Sequence, residues 1–210
     1  MVCLFGRPST KPARRVGERV SDFGFDQQGH DITERKQVEA IREHEATHDP
    51  LTGLLNRRGM FDLLSQAIAR VKRTRVSLAL LFIDLDGFKQ INDTHGHEAG
   101  DAVLREVAAR LQASIRQTDT AARLGGDEFT VILENIKHGI PDANMLAQKI
   151  LETLQHPIQL DSVTATISAS IGISMHHPYD ERSADQLVNT ADSAMYTAKH
   201  AGKNQVCVHK

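Results

Sequence analysis

A glycine pair, Gly125-Gly126, stands between two apolar runs, Thr120 to Leu124 and Phe129 to Leu133. No other feature restricts the fold as tightly. Strand-like runs that close on two glycines form a β-hairpin, because a tight turn needs positive φ and glycine adopts it without steric cost. Asp127 and Glu128 follow directly. The pattern predicts two acids just past the turn, at the exposed tip of a sheet. With no side chains on the glycines, a bulky ligand can approach the backbone there. A bare glycine pair would more simply mark a surface hairpin with solvated acids. The full run Gly-Gly-Asp-Glu-Phe is more restrictive: with average residue usage it arises by chance in such a chain on the order of one time in ten thousand.

A second acidic stretch lies upstream. Ser77 to Ile83 is continuously apolar and reads as a fully buried strand. It runs out into Asp84-Leu85-Asp86-Gly87. Carboxylates at the exit of a buried strand are costly unless paired, hydrogen-bonded or bound to metal. Asp84 and Asp86 share a face if the strand continues through them.

Periodicity supplies the other elements. Phe61, Leu64, Ile68 and Val71 recur at helical spacing, with Asn56 as N-cap. Ala102 to Ile115 and Pro141 to Leu154 are amphipathic helices, and Ala184 to His200 is a third, stopped by Gly202. Val163 to Ser174 alternates and reads as one strand, and Gln205 to Val208 as a short closing strand. The fold class expected is α/β, with a central mixed or antiparallel sheet flanked by helices.

Composition narrows the rest. The 210 residues are 40% hydrophobic, enough for one domain with an appendage. A net charge of -2 argues against a duplex nucleic-acid partner. Cys3 and Cys207 form no disulfide framework and suggest a reducing compartment. No apolar run has transmembrane length, and Met1 to Phe5 is too short for a signal peptide. The expectation is a cytoplasmic protein with no membrane partner.

The hairpin string resembles the signature of the GGDEF domain, whose active members are diguanylate cyclases. Two more stretches carry the likeness: Asp49-Pro50-Leu51-Thr52-Gly53-Leu54-Leu55-Asn56-Arg57-Arg58, and the run from Asp84 through Lys89, Asn92, His97 and Asp101. The resemblance extends from Asp49 to Val206, about three-quarters of the chain. It implies a nucleotidyl-cyclase-like fold over 49–210 and condensation of two GTP into cyclic di-GMP. It implies Mg²⁺ or Mn²⁺ held by Asp84, the Leu85 carbonyl and Asp127. Strand alternation would send Asp127 and Glu128 to opposite sides, which favours Asp127 as the metal ligand and leaves Glu128 as a further ligand or a base. Asn92 and Asp101, with His97, match the substrate-binding positions. An Asp suits guanine, which offers N1–H and N2–H₂ donors. Lys89, Lys199 and Lys203 are candidate phosphate partners. Family members often carry Arg where Lys203 stands, and Lys lacks the bidentate fork. Because one domain holds one GTP, the family implies a homodimer. Arg116 and Asp119, as Arg-x-x-Asp, resemble the family's product-inhibition site.

The front of the chain reads differently. Residues 1–33 are expected to be a disordered segment followed by the edge of a truncated sensor, since Asp31-Ile32-Thr33-Glu34-Arg35-Lys36 resembles the C-terminal end of a PAS domain. Residues 34–48 read as a linker helix with Thr33 as N-cap and a short seam of Val38 and Ile41. Within it, His44-Glu45-Ala46-Thr47-His48 matches a zinc-protease pattern, but Pro50 ends the helix and no third ligand follows at the extended spacing. Two readings of the whole remain: an active diguanylate cyclase, or a non-catalytic module that binds GTP or cyclic di-GMP.

Overall fold

The computed structural model describes residues 44–160 and 164–209, with Glu39 and Arg42. The disordered segment, PAS remnant, Thr33 cap and Val38–Ile41 seam expected from sequence fall on residues outside the described ones. The chain divides into two units, 1–40 and 41–210, and the second carries the sheet and its helices.

A first helix, α1 (Arg57–Thr74), starts where Asn56 Oδ1 accepts from the Gly59 N–H at 3.0 Å. It is followed by β1 (Ser77–Asp86), α2 (Phe88–His95), α3 (His97–Ser114), the hairpin β2 (Thr120–Gly125) and β3 (Glu128–Ile136), and α4 (Ile140–Leu154). A two-stranded ribbon of β4 (Ile158–Gln159) and β5 (Thr164–Ala165) precedes β6 (Ser168–His176), α5 (Ala184–His200) and β7 (Gln205–Val208). The main sheet has the order β2-β3-β1-β6-β7, antiparallel except for the parallel β6–β7 pair. It is a mixed sheet between two helical layers, as the apolar pattern requires.

Each face of the central strand feeds its own core. Leu81, Ile83 and Leu85 pack with Phe129, Val107, Leu111 and Ile150 toward α3 and α4. Leu80 and Phe82 pack with Leu64, Ile68, Leu187 and Met195 toward α1 and α5. Burial on both faces explains why β1 reads as an unbroken apolar run.

Three local expectations are corrected. β1 does not stop at Ile83 but pairs through Asp86, so the acids are strand residues. The segment Phe88–His95 forms α2, and α3 begins at His97 rather than Ala102, with Gly96 (φ 85°) breaking the two apart. The single strand read over Val163 to Ser174 is two strands, β5 and β6, serving different sheets. Alternation alone does not reveal a change of partner.

Gly172 of β6 seats α5. A Cβ there would lie 2.0 Å from the Ala191 carbonyl oxygen and 2.2 Å from the Met195 nitrogen. Only glycine permits this approach of helix backbone to strand. Gly172→Ala is expected to destabilise the domain by about 3 kcal/mol through overpacking, read as a lower urea midpoint with an unchanged slope.

Candidate active site

The strand register builds the acidic end of the site. Asp84 pairs directly with Glu128 on β3 and with Ser170 on β6, so these side chains leave the sheet from one face. That face is covered by α1 and α5. The turn itself is Gly126-Asp127, one residue later than the sequence suggests, because Gly125 already pairs with Glu128. Gly125 and Gly126 have φ of 140° and 53°. Asp127 is therefore part of the turn, and its carbonyl accepts the Leu85 N–H at 3.2 Å. Turn and strand exit are thus clamped together. Glu128, not Asp127, is the residue in register with Asp84.

Electrostatics mark the cluster. Asp84 is buried, with 6% of its surface exposed. Burial pushes its carboxyl up; a hydrogen bond from Lys199 opposes this, while Asp127 and Asp86 push it further, for a net rise. Lys199 Nζ sits 2.6 Å from Asp84 Oδ2. Glu128 is also raised, first by burial, against the Arg57 charge, with Asp84, Asp192 and Asp127 adding to the rise. Arg57 Nη2 lies 3.8 Å from Glu128 Oε2. Repulsion among hard oxygen donors is the environment that a small divalent cation relieves. Among the described residues no three acid, imidazole or thiol side chains enclose a metal site. The donors that the sheet end does present are oxygens, the ligand type that hard divalent cations take.

Asp86 shares the strand face but is engaged elsewhere. It accepts from Ser168 Oγ at 3.0 Å, Ser170 Oγ at 2.9 Å and the Asn204 N–H at 3.0 Å. This anchors the α5–β7 turn, where Lys203 and Asn204 adopt φ of 63° and 47°. Lys203 is exposed, one residue from that anchor. Asp86 lies 118 positions from Asn204, a link that no local pattern discloses.

The other predicted residues lie on the two helices after β1. Lys89 and Asn92 are on α2, His97 opens α3, and Asp101 follows one turn later. Lys89 and His97 are exposed; Asn92 and Asp101 are half-buried. Asn92 Oδ1 is buried and has no hydrogen-bond partner among the described residues. It fits because position 100 is glycine: a Cβ there would lie 1.9 Å from that oxygen. A buried acceptor without a donor is costly, and a ligand N–H removes the cost.

Arg123, two residues before the glycine pair and given no role by sequence reasoning, joins the hairpin to the entry loop. Its Nη1 donates to Asp49 Oδ1 at 3.1 Å, and its Nε and Nη2 donate to the Gly126 carbonyl at 3.1 and 2.8 Å. Arg116 and Asp119 stand apart from the acids, beyond the end of α3. The Asp119 carboxylate accepts from the backbone N–H of Arg116 and of Glu134, while the Arg116 side chain is exposed beside a cavity of about 320 Å³ that Lys149 also lines. The two histidines of the zinc-like pattern stack ring on ring, with centroids 3.7 Å apart, so their faces meet and their nitrogens do not converge. No described helix is long and apolar enough to cross a membrane.

Gly100→Ala is expected to weaken by tenfold or more the binding of a ligand that donates an N–H to Asn92 Oδ1, while leaving the unfolding midpoint nearly unchanged. The methyl displaces Asn92 Oδ1, and loss of a single well-placed partner is worth about that much. Titration calorimetry with GTP, beside a thermal melt, checks both.

Comparison with known proteins identifies the family of the domain. The family model described as "Diguanylate cyclase, GGDEF domain" matches residues 46–205. The chain is 46% identical over 162 residues to the bifunctional diguanylate cyclase/cyclic di-GMP phosphodiesterase MucR of Pseudomonas aeruginosa, covering 77% of this chain and 23% of that protein. It is 44% identical over 161 residues to the diguanylate cyclase TpbB of the same species, covering 76% of this chain and 37% of that one. The chain therefore spans well under half the length of these relatives. A solved fragment of TpbB comprising only the GGDEF domain superposes with a TM-score of 0.74 at 41% identity, covering 78% of this chain and 94% of the fragment. The coiled coil and GGDEF domain of DgcB from Caulobacter crescentus, solved with cyclic di-GMP, gives 0.76 at 29% identity, over 84% of this chain and 92% of that one. With its signature intact and the fold shared, this chain belongs to the GGDEF domain family.

Proposed function

We propose that this domain is a diguanylate cyclase that condenses two GTP into cyclic di-GMP with release of pyrophosphate. The observation that carries the reading is the set of acids at one sheet end: Asp84 opposite Glu128, with Asp127 in the bare glycine turn beside them. Names of the relatives support it, though some are called phosphodiesterases, as is PdeR of Escherichia coli at 36% identity.

In this reading Asp84, the Leu85 carbonyl and Asp127 hold Mg²⁺ or Mn²⁺. The cation supplies charge neutralisation on the triphosphate and polarisation of the α-phosphate. Lys199, Lys203 and Lys89 bind phosphate oxygens. Asn92 Oδ1 accepts from the guanine N2–H₂, and Asp101, with His97, completes the nucleotide-binding side. Adenine offers neither the N1–H nor the 2-amino donor, so ATP leaves these acceptors unpaired. The 3′ oxygen of one GTP bonds to the α-phosphorus of the other as the bond to pyrophosphate breaks, and Glu128 accepts the hydroxyl proton. A repeat of the step closes the ring. Each domain presents one nucleotide, so catalysis needs two domains face to face, as a homodimer.

Incubation with GTP and Mg²⁺, with products separated by chromatography, tests the reading. Cyclic di-GMP is expected from the parent, and Asp84→Ala and Asp127→Ala are each expected to lower the rate about a hundredfold or more. Binding of GTP or cyclic di-GMP without turnover would instead mark a non-catalytic module.

Arg116 and Asp119 are proposed as a product site. Asp119 already serves two backbone N–H groups, so the exposed guanidinium of Arg116, with its planar fork, carries most of the attraction for a phosphate. Arg116→Ala is expected to raise the cyclic di-GMP concentration for half-inhibition at least tenfold, on the order of one lost charge-assisted contact, with little change in KM for GTP. Inhibition curves on parent and variant check it.

A further inference from the structure

We infer that Lys199 is the resident counter-cation of Asp84 in the nucleotide-free domain, and that it must leave Asp84 for the nucleotide phosphates before a divalent cation can take its place. The inference rests on the metal-dependent cyclase reading and adds an order of events to it.

The geometry is specific. Asp84 is the most deeply buried of the clustered acids, its side chain 9% exposed, and the Lys199 ammonium meets its Oδ2 at 2.6 Å. Lys199 lies in the last turn of α5, where a cation is favoured by the helix dipole. Its Cα is not free to retreat, because α5 is seated on β6 at Gly172. The flexible four-carbon stem is what can move. An ammonium and a divalent ion on the same carboxylate repel strongly across so short a distance in a partly buried site. The two cations therefore compete for the carboxylate. Metal alone would strand the lysine charge beside a new dication. Triphosphate offers the lysine another anion at the moment the carboxylate is released, so charge stays balanced throughout. Metal and nucleotide therefore bind with positive coupling, and by linkage each strengthens the other equally.

Mn²⁺ binding, followed by the electron paramagnetic resonance signal of free Mn²⁺, tests this at fixed pH with and without a GTP analogue that cannot release pyrophosphate. After subtraction of the Mn²⁺ that the analogue chelates without protein, the parent is expected to bind Mn²⁺ at least tenfold more tightly with the analogue present. In Lys199→Met the nucleotide-free affinity is expected to rise about fivefold or more, the scale of removing one nearby positive charge, and the coupling to shrink. Lys203→Met, which removes an exposed charge from the α5–β7 turn, is expected to leave nucleotide-free Mn²⁺ affinity unchanged. Melting curves confirm that each variant is folded. If Lys199→Met binds Mn²⁺ no better than the parent, or if Lys203→Met gains as much, the resident-cation inference is overturned while the metal site stands. If Mn²⁺ binds none of the proteins even with the analogue, both the inference and the metal-site reading fall.

Discussion

The contact that ties the acidic end of the sheet to the entry loop is the guanidinium of Arg123. It grips a carboxylate at the mouth of the domain and a carbonyl at the tip of the hairpin at the same time. Arg123 and Asp49 are largely buried, with 11% and 17% of their side chains exposed. Burial alone would push the Asp49 carboxyl up, yet hydrogen bonds from Thr52 and Arg123 hold it below the usual carboxylate range. Removing either partner would leave a largely buried charge without its counter-charge, a strongly destabilising change. The Arg123 N–H also donates to the Leu55 carbonyl at 2.8 Å, and Leu55 bridges Ala122. The entry loop is thereby laid along the open edge of β2. A displacement of the loop has a short, stiff route to the turn that carries Asp127.

The acids and the helices answer different demands at one end of the sheet. Packing requires apolar residues on both faces of β1, and it receives them up to Leu85. The same strand also carries two carboxylates, Asp84 and Asp86. The conflict is settled by position: Asp84 leaves the face that α1 and α5 cover, and Lys199 on one and Arg57 on the other bring cations to it and to its cross-strand neighbour. Asp86, two residues on, is satisfied by hydroxyls and a backbone N–H instead. Two carboxylates on one face thus have separate tasks, one held ready and one spent on structure.

Much of this is legible in the amino-acid string. Hairpin, sheet class, four long helices and the closing strand all follow from Gly125-Gly126 and from apolar periodicity, because these are local signals. The family string marks Asp84, Asp127 and Asn92; the first two meet at one sheet end, and the third stands on α2 with its buried acceptor. What sequence missed was mostly non-local. The role of Asp86 depends on Asn204, and that of Arg123 on Asp49. α2 was missed for another reason: it is only eight residues long and polar but for Phe88 and Ile91, too short to show a period. The face shared by Asp84 and Glu128 was hidden as well, since alternation within one strand says nothing about register with the next.

The Asp86 anchor has a consequence for biosynthesis. Strands β1, β2 and β3 are contiguous early in the domain, whereas the residue that closes on Asp86 comes after α5, beside the last strand. A nascent chain leaving the ribosome can pair the first three strands while Asn204 is still inside the exit tunnel. During that interval Asp86 has no backbone donor from the α5–β7 turn, and Lys199 has only just emerged or has not yet done so. The acidic end of the sheet is thus the last part of the domain to become electrically balanced. Synthesis order thus brings the partners of Asp84 and Asp86 to the sheet only after the scaffold beneath them has been made.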